Sequence, residues 1–336
     1  CIRDREYIAL ETTDDFITKG AVKAIGKDIM LVTNRGSDGD ILVFDRNGKG
    51  LRKINRLGQS GEEYTQLTGL VLDEDNDEIF VKDNPARKIG VYDLLGNYKR
   101  SFKFTDTSYY NYIFNYDRDH LICYKSYPSE KGKRECHLII SKQDGRITHE
   151  IQIPSKGTET PVVTEGEFII TPEFYLTFPD RDKWILVNTS SDTIFHYLPD
   201  GNLSPFIVRS PSISSMDTKV FLFPTVITDR YCFMRTMRKE VDFTTFKGFL
   251  GEDLVYDKQE NALFSYILYN DDFINKEEVS LTSEPRNPEI AICQTLDAPD
   301  LVEAYEKGQL KGKLKEIAAN LDEESNPVVM LLKKKK

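Results

Sequence analysis

The chain has 336 residues, 39% of them hydrophobic and 30% charged, with a formal net charge of −10 at pH 7. That length admits one to three domains, a single large all-β domain included, and the acidic balance argues against a polyanion binder, which would carry a basic stripe. The longest aliphatic run, Val328 to Leu332, is far short of the roughly 20 residues of a membrane helix, and 20 Gly with 14 Pro exclude collagen and low-complexity disorder.

Cys1 opens the chain. A cysteine is what lipoprotein processing leaves at a mature N-terminus, and an acyl chain on its thiol would anchor the protein without a spanning helix. Residues 1–5 are therefore read as anchor and linker. Tyr7 to Leu10 reads as a first strand. Beyond it, an apolar strand, a polar turn with Gly and a second strand recur. The copies are Ile41–Ile54, Ile89–Phe102, Leu138–Ile151, Ile194–Ile207 and, more weakly, Leu254–Ile267. Gly48, Gly96, Gly145, Gly201 and Asn261 mark their turns, where a hairpin needs positive φ. Upstream of each hairpin lies a short apolar strand with a polar end, starting at Ile29, Ile79, Leu121, Trp184 and Tyr231. A sixth starts at Ile290. Six units of about 56 residues leave room for four strands each. Radial repetition of four-stranded antiparallel sheets is a six-bladed β-propeller, here one domain over 6–336. Pairing Tyr7–Leu10 with Val328–Leu332 would close the last blade and remove exposed edges. Within that blade, 298–321 has helical spacing at Leu301, Val302, Tyr305, Leu310, Leu314 and Ile317. It is read as one or two inserted helices.

Two further stretches stand out. Tyr110, Tyr112, Phe114 and Tyr116 alternate with Asn111, Ile113 and Asn115, and a period of two would put four rings on one strand face. Packing between blades or a sugar-stacking platform would use them. Cys123 and Cys136 flank a polar loop from Ser126 to Arg134. In a symmetric hairpin they would face each other, and both a disulfide and a pair of free thiols are open. Cys232 and Cys293 sit in apolar runs and read as small hydrophobes.

Leu57 to Phe102 carries a family resemblance. The loop Gly58-Gln59-Ser60-Gly61-Glu62-Glu63-Tyr64 precedes a strand ending in Asp73. An Ile-Phe-Val strand, Asp83-Asn84, Arg87-Lys88 and a Val-Tyr-Asp hairpin follow. This resembles NHL-type propeller repeats. With Tyr7–Ile17 and the ending from Asn326, the chain is similar to six-bladed propeller lipoproteins of Bacteroidetes. The resemblance implies a cell-envelope, outer-membrane lipoprotein anchored at Cys1, often an accessory to glycan or nutrient uptake. Ile2-Arg3-Asp4-Arg5 lacks the acidic run tied to surface export, which favours the periplasmic side.

No catalytic signature is present around His120, His137, His149 or His196, and no GxSxG or Walker loop occurs. A propeller assembles its site from loops of different blades, so candidates are taken at strand ends. Arg35, Arg87 and Arg235 follow the inner strands of blades one, two and five and, if those ends line the central opening, suit an anionic group. Asp83, Asn84, Asn188 and Asp192 offer oxygen ligands for a calcium ion, or cap turns. Tyr64 closes the glycine loop, which would brace two blades or touch ligand. The first expectation is a monomeric, non-catalytic binding protein with a glycan, peptide or envelope-protein partner, without nucleic acid, resident metal or other cofactor. The alternatives are a calcium-dependent hydrolase or lyase of the lactonase-like type and a structural subunit of an outer-membrane complex.

Overall fold

Runs rich in Val, Ile and aromatic residues, punctuated by turns ending in Gly or Asn, fold as strands along most of the chain. In a computed structural model the described residues are all except 1, 35–37, 105–108, 127–135, 156–158, 167, 173, 243–246 and 335–336. Cys1, Arg35, most of the loop after Ser126 and the last two lysines thus lie outside the described residues.

Strand β1 spans Ile2–Ala9, taking in residues 2–5 of the expected anchor segment. The first sheet follows as β2 (Ala21–Ile25), β3 (Ile29–Thr33), β4 (Asp40–Asp45) and β5 (Gly50–Asn55). The second is β6 (Gly69–Asp73), β7 (Glu78–Asp83), β8 (Lys88–Asp93) and β9 (Tyr98–Lys103). The third is β10 (Tyr109–Asn115), β11 (His120–Ser126), β12 (Cys136–Ser141) and β13 (Ile147–Ile151). A small hairpin, β14 (Val163–Glu165) with β15 (Phe168–Ile170), precedes the fourth sheet. That sheet is β16 (Thr177–Asp180), β17 (Lys183–Leu186), β18 (Thr193–Tyr197) and β19 (Leu203–Val208). The fifth begins with β20 (Val220–Ile227) and β21 (Tyr231–Arg238). A side hairpin, β22 (Val241–Asp242) with β23 (Lys247–Phe249), leads to its last strands, β24 (Asp253–Asp257) and β25 (Ala262–Ser265). Short strands β26 (Tyr269–Asn270) and β27 (Glu277–Glu278) pair next. The sixth sheet has the order β1-β29-β28, with β28 at Ile290–Leu296 and β29 at Val328–Lys334.

This is a six-bladed β-propeller of antiparallel sheets. Five blades have four strands and the sixth has three among the described residues. Each apolar strand expected upstream of a hairpin is the second strand of its blade in the first five sheets. The five turn residues Gly48, Gly96, Gly145, Gly201 and Asn261 all have positive φ. The sixth blade has no such hairpin, because β29 and β1 come from opposite ends of the sequence. Their pairing is the expected closure: Leu10 N donates to Pro327 O at 3.4 Å. Between β28 and β29 lie α1 (Ala298–Glu306) and α2 (Gly312–Ala318), the two inserted helices, with Leu301, Leu310 and Leu314 buried.

The residues group into two compact units. The first comprises Tyr7–Gln152 and Gln294–Met330, the second Cys1–Glu6, Ile153–Cys293 and Leu331–Lys336. In the first unit, Leu31, Val43, Ile54, Tyr64, Val81 and Tyr92 form one core cluster. Val71, Phe80, Phe102, Tyr110, Leu121 and Leu138 form another. Both faces of β3, β4 and β7 are covered, so these strands read as continuous apolar runs rather than alternating ones. Charged groups also join neighbouring sheets here. Lys142 Nζ donates to Asp73 Oδ2 at 2.5 Å and to Asp117 O at 2.6 Å, and the pair is almost completely buried. Arg100 forks onto Glu78 at 2.6 and 2.7 Å. Its Nη2 also reaches Lys142 O at 2.8 Å.

One expectation is corrected and one open alternative is decided. A bulge at Asn111 shifts the β10 register between Tyr110 and Tyr112, so the four rings do not share one face. Tyr110 stacks on Phe104 at 4.4 Å, and Ile113 packs against the same core cluster. Tyr112 instead approaches Tyr124, 6.3 Å between centroids. Cys123 lies opposite Leu138 and Cys136 opposite Lys125. The hairpin is offset by two residues from the symmetric one, and Cys123, Cys136, Cys232 and Cys293 are free thiols.

Candidate functional site

In the first unit the glycine loop and the turn after β7 build one polar end of the second sheet. Backbone bonds fold the loop on itself: Gly58 N donates to Tyr64 O at 3.0 Å, and Tyr64 N to Arg56 O at 3.0 Å. Tyr64 is 1% exposed. Its hydroxyl donates to Gly39 O at 2.5 Å and accepts from Arg56 N at 3.0 Å. Its ring meets Tyr92 edge-on at 6.0 Å, and Tyr92 Oη donates to Glu62 O at 2.9 Å. Burial pushes the Tyr64 phenol up to about 12, so it is a neutral donor at physiological pH. The loop thus ties the first sheet to the second.

Asp83, wholly buried at the end of β7, is fully engaged. Its Oδ2 accepts from Thr65 N at 2.6 Å, and its Oδ1 from Thr65 Oγ1 at 2.9 Å and Ala86 N at 3.1 Å. Lys88 Nζ donates to Glu63 O at 2.5 Å, pinning the loop to the turn. The next two candidates differ. Asn84 N donates to Thr68 Oγ1 at 3.2 Å, but its Oδ1 is buried without a hydrogen-bond partner among the described residues. Arg87 has φ of 54°, in the left-handed region that a side chain of its kind rarely adopts. Its N donates to Asn84 O at 3.0 Å, and its carbonyl accepts from Phe104 N at 2.9 Å. The backbone over-determines that conformation, while its half-buried guanidinium makes no hydrogen bond among the described residues. Tyr64, Asp83, Asn84 and Arg87 therefore come together. Two are spent on structure and two keep polar groups to offer.

The remaining candidates lie in the second unit. Asn188 Oδ1 accepts from Ser190 N at 2.8 Å, and Asp192 accepts from Ser212 Oγ and Ile213 N, each at 2.7 Å. Both residues cap turns, as polar residues at strand ends do. They border a cavity of about 10 Å³ with Arg209. Arg235 lies 3.9 Å from Asp253 and borders a cavity of about 10 Å³ with Phe174 and Met237. A third cavity, about 20 Å³, is bordered by Thr225, Ser283, Asn287 and Lys334. Volumes of this size hold a water or two.

Lys334, Asp180 and His196 form a cluster that sequence reasoning missed. Burial lowers the Lys334 ammonium pKa, opposed by the charge of Asp180. His196 Nε2 lies 3.3 Å from Asp180 Oδ2, and its ring stacks on Phe206 at 4.1 Å. Burial raises the Asp180 carboxyl, but its contact with His196 and the charge of Lys334 outweigh that and hold it below the ordinary range. Asp180 and His196 share the fourth sheet, whereas Lys334 comes from the end of β29, so no local spacing signals the meeting of all three. Among the described residues no group of three His, Cys, Asp or Glu is placed to hold a metal ion.

The fold has solved relatives. A Bacteroides fragilis protein whose name is 'putative exported protein' is 14% identical, with 99% of this chain and 95% of that one covered, at a TM-score of 0.64. A DUF4221-family member from Bacteroides vulgatus is 11% identical, with coverage of 99% and 97% and a TM-score of 0.54. A virginiamycin B lyase from Staphylococcus aureus reaches a TM-score of 0.41 over 78% of this chain and 88% of that one, at 14% identity, too distant to carry an argument. No curated protein matches the chain. A family model described as a domain of unknown function, DUF4934, matches residues 1–333, and the chain belongs to that family.

Proposed function

We propose that the protein is a cell-envelope lipoprotein, acylated at Cys1, that binds a ligand or envelope partner through the loop end bearing Asn84 and Arg87. The observation that carries this reading is the unpartnered Oδ1 of Asn84 beside the left-handed Arg87. A buried acceptor without a partner costs about 1–3 kcal/mol, and backbone held in a sparse region costs of the same order and clusters at binding sites. A ligand N–H or O–H given to Asn84, with a carboxylate held by the Arg87 fork, would offset both. Acidic glycans and peptide carboxylates have that chemistry. The exported-protein name of the Bacteroides fragilis relative supports an envelope location.

The test is a thermal-shift screen of the full chain against acidic and neutral oligosaccharides, peptides, calcium and EDTA. A native-state ligand raises the melting temperature by mass action. The expected ligand stabilises the wild type and neither Asn84→Ala nor Arg87→Gly. Equal shifts in all three proteins would move binding elsewhere. A fall in EDTA restored by calcium would replace the reading with a metal-dependent site. Labelled palmitate should enter the wild type in cells and not Cys1→Ser.

A further inference from the structure

We infer that the chain from Leu263 to Lys276 in the second unit is a bilayer-contacting surface for zwitterionic lipid, an inference that rests on acylation of Cys1. Exposed apolar side chains concentrate there: Leu263 is 55% exposed, Phe264 51%, Ile267 63% and Ile274 56%. Strand register gives this exposure a meaning. Arg52 pairs with Val43 and Arg100 with Val91, and each arginine reaches a carbonyl in the hairpin turn of the next sheet, Leu94 O and Lys142 O. Phe264 pairs with Val255 at the same place in β25. The sheet after it closes with β29 and β1, which are not joined by a hairpin. The position thus holds an uncovered aromatic ring in place of an arginine aimed at a turn.

Ile274 sits in the loop joining β26 to β27, and the Lys276 ammonium lies 5.9 Å from the centre of the Tyr269 ring. A half-exposed Tyr with a long cationic side chain beside it suits a membrane interface, where apolar bodies sink and charged tips stay wet. The location fits as well. Arg5 of β1 donates to Asn270 Oδ1, and its Nη1 lies 3.5 Å from Asp272 Oδ2. Arg5 lies four residue steps from Cys1, at most about 14 Å of extended chain. A lipid on Cys1 therefore brings the bilayer within reach of this loop. The charges choose the lipid. Asp271, Glu277 and Glu278 lie around the loop, against Lys276, and the whole chain carries −10. Ethanolamine ammonium groups complement those carboxylates, whereas anionic headgroups are repelled.

The experiment couples the full chain through the Cys1 thiol to maleimide-bearing lipid in phosphatidylcholine–phosphatidylethanolamine vesicles, in a Cys293→Ser background. Reporters are Ile274→Trp and, as a control in the first unit, Leu95→Trp, against the constant signal of buried Trp184. With brominated lipid, the Ile274→Trp emission should shift to the blue and be quenched, and Leu95→Trp should show neither. Phosphatidylglycerol in place of phosphatidylethanolamine should weaken the quenching. A folded, tethered Ile274→Trp protein without quenching overturns the inference. So does an untethered wild type that is dimeric while Ile267→Asp/Ile274→Asp is monomeric, since the surface would then belong to a second copy. The chemical tether works whether or not cells acylate Cys1. Absent palmitate label with quenching intact would strike the lipoprotein reading and leave the lipid-contacting surface standing.

Discussion

Gly48 and Gly96 hold φ of 88° and 87° at the tips of their hairpins. The sequence announces both, because a two-strand turn needs that conformation and its spacing repeats. What no spacing announces is the lack of room. A side chain on Gly96 would meet Ile54 Cγ2 at 2.6 Å, and one on Gly48 would collide with the Ala9 carbonyl. Gly48→Ala should therefore destabilise by well over the ~1 kcal/mol of the conformational effect alone, read from denaturant midpoints. Arg87 is the opposite case. Its strain is local, so Arg87→Gly should keep or raise stability, by up to ~1 kcal/mol, while ligand response is lost. The thiols follow burial. Desolvation lifts Cys232 to about 12 and Cys123 higher still. Neither should react with an aromatic disulfide at pH 8 in the native protein, and both should in denaturant. A native reaction would mean that the core opens. Asn84 was legible as a polar strand end, but its missing partner depends on Thr68 and the folded turn and could not be read from the chain.

Asp257 ends β24 and joins that element to its neighbour. Arg230 Nε and Nη2 donate to it at 2.9 and 2.6 Å, and this bond holds its carboxyl at about 2. The folded state binds the proton less readily than the unfolded chain, whose value is near 3.8. The stabilisation is thus complete above that value and is lost as pH falls through about 2. A melting-temperature series from pH 5 downward should fall over that window, and Arg230→Gln should flatten this part of the fall. In the first unit, Asn326 is 1% exposed. It accepts from Thr18 N at 2.8 Å and donates to Glu11 O at 2.7 Å and Phe16 O at 2.5 Å. Asn326→Leu leaves three backbone groups unanswered and should cost about 2–4 kcal/mol, measured by chemical unfolding. Element type was legible wherever apolar runs ended in turn residues. The phase within an element was not. A single bulged residue, Asn111, turned an alternating row of rings into two faces, and a two-residue offset parted Cys123 from Cys136.

At the scale of the molecule, repetition made the blade count readable, and complementary end strands made the closure readable. The sixth sheet, three-stranded among the described residues, was not, because its strands come from both ends of the sequence and share no hairpin. Nor was the Asp180–His196–Lys334 cluster, which depends on blades meeting. In the first unit, the hairpin turns repeat one contact: Gly96 on Ile54, Gly145 on Phe102, and Gly48 on Ala9 of β1. β1 thus serves the first sheet as the outer strand of the sheet before it. Removing residues 1–10 should lower the melting temperature and broaden the transition, and an unchanged curve would refute that role. The same pairing sets a timetable. More than 300 residues separate β1 from β29, and at roughly 5–20 residues per second the two are made tens of seconds apart. Through that interval β1 has no partner strand, and the sixth sheet can form only after the strands of the other five have been made. Completion of the fold is therefore gated by the arrival of Val328–Lys334, and a chain stalled before that point should be a substrate for holding chaperones.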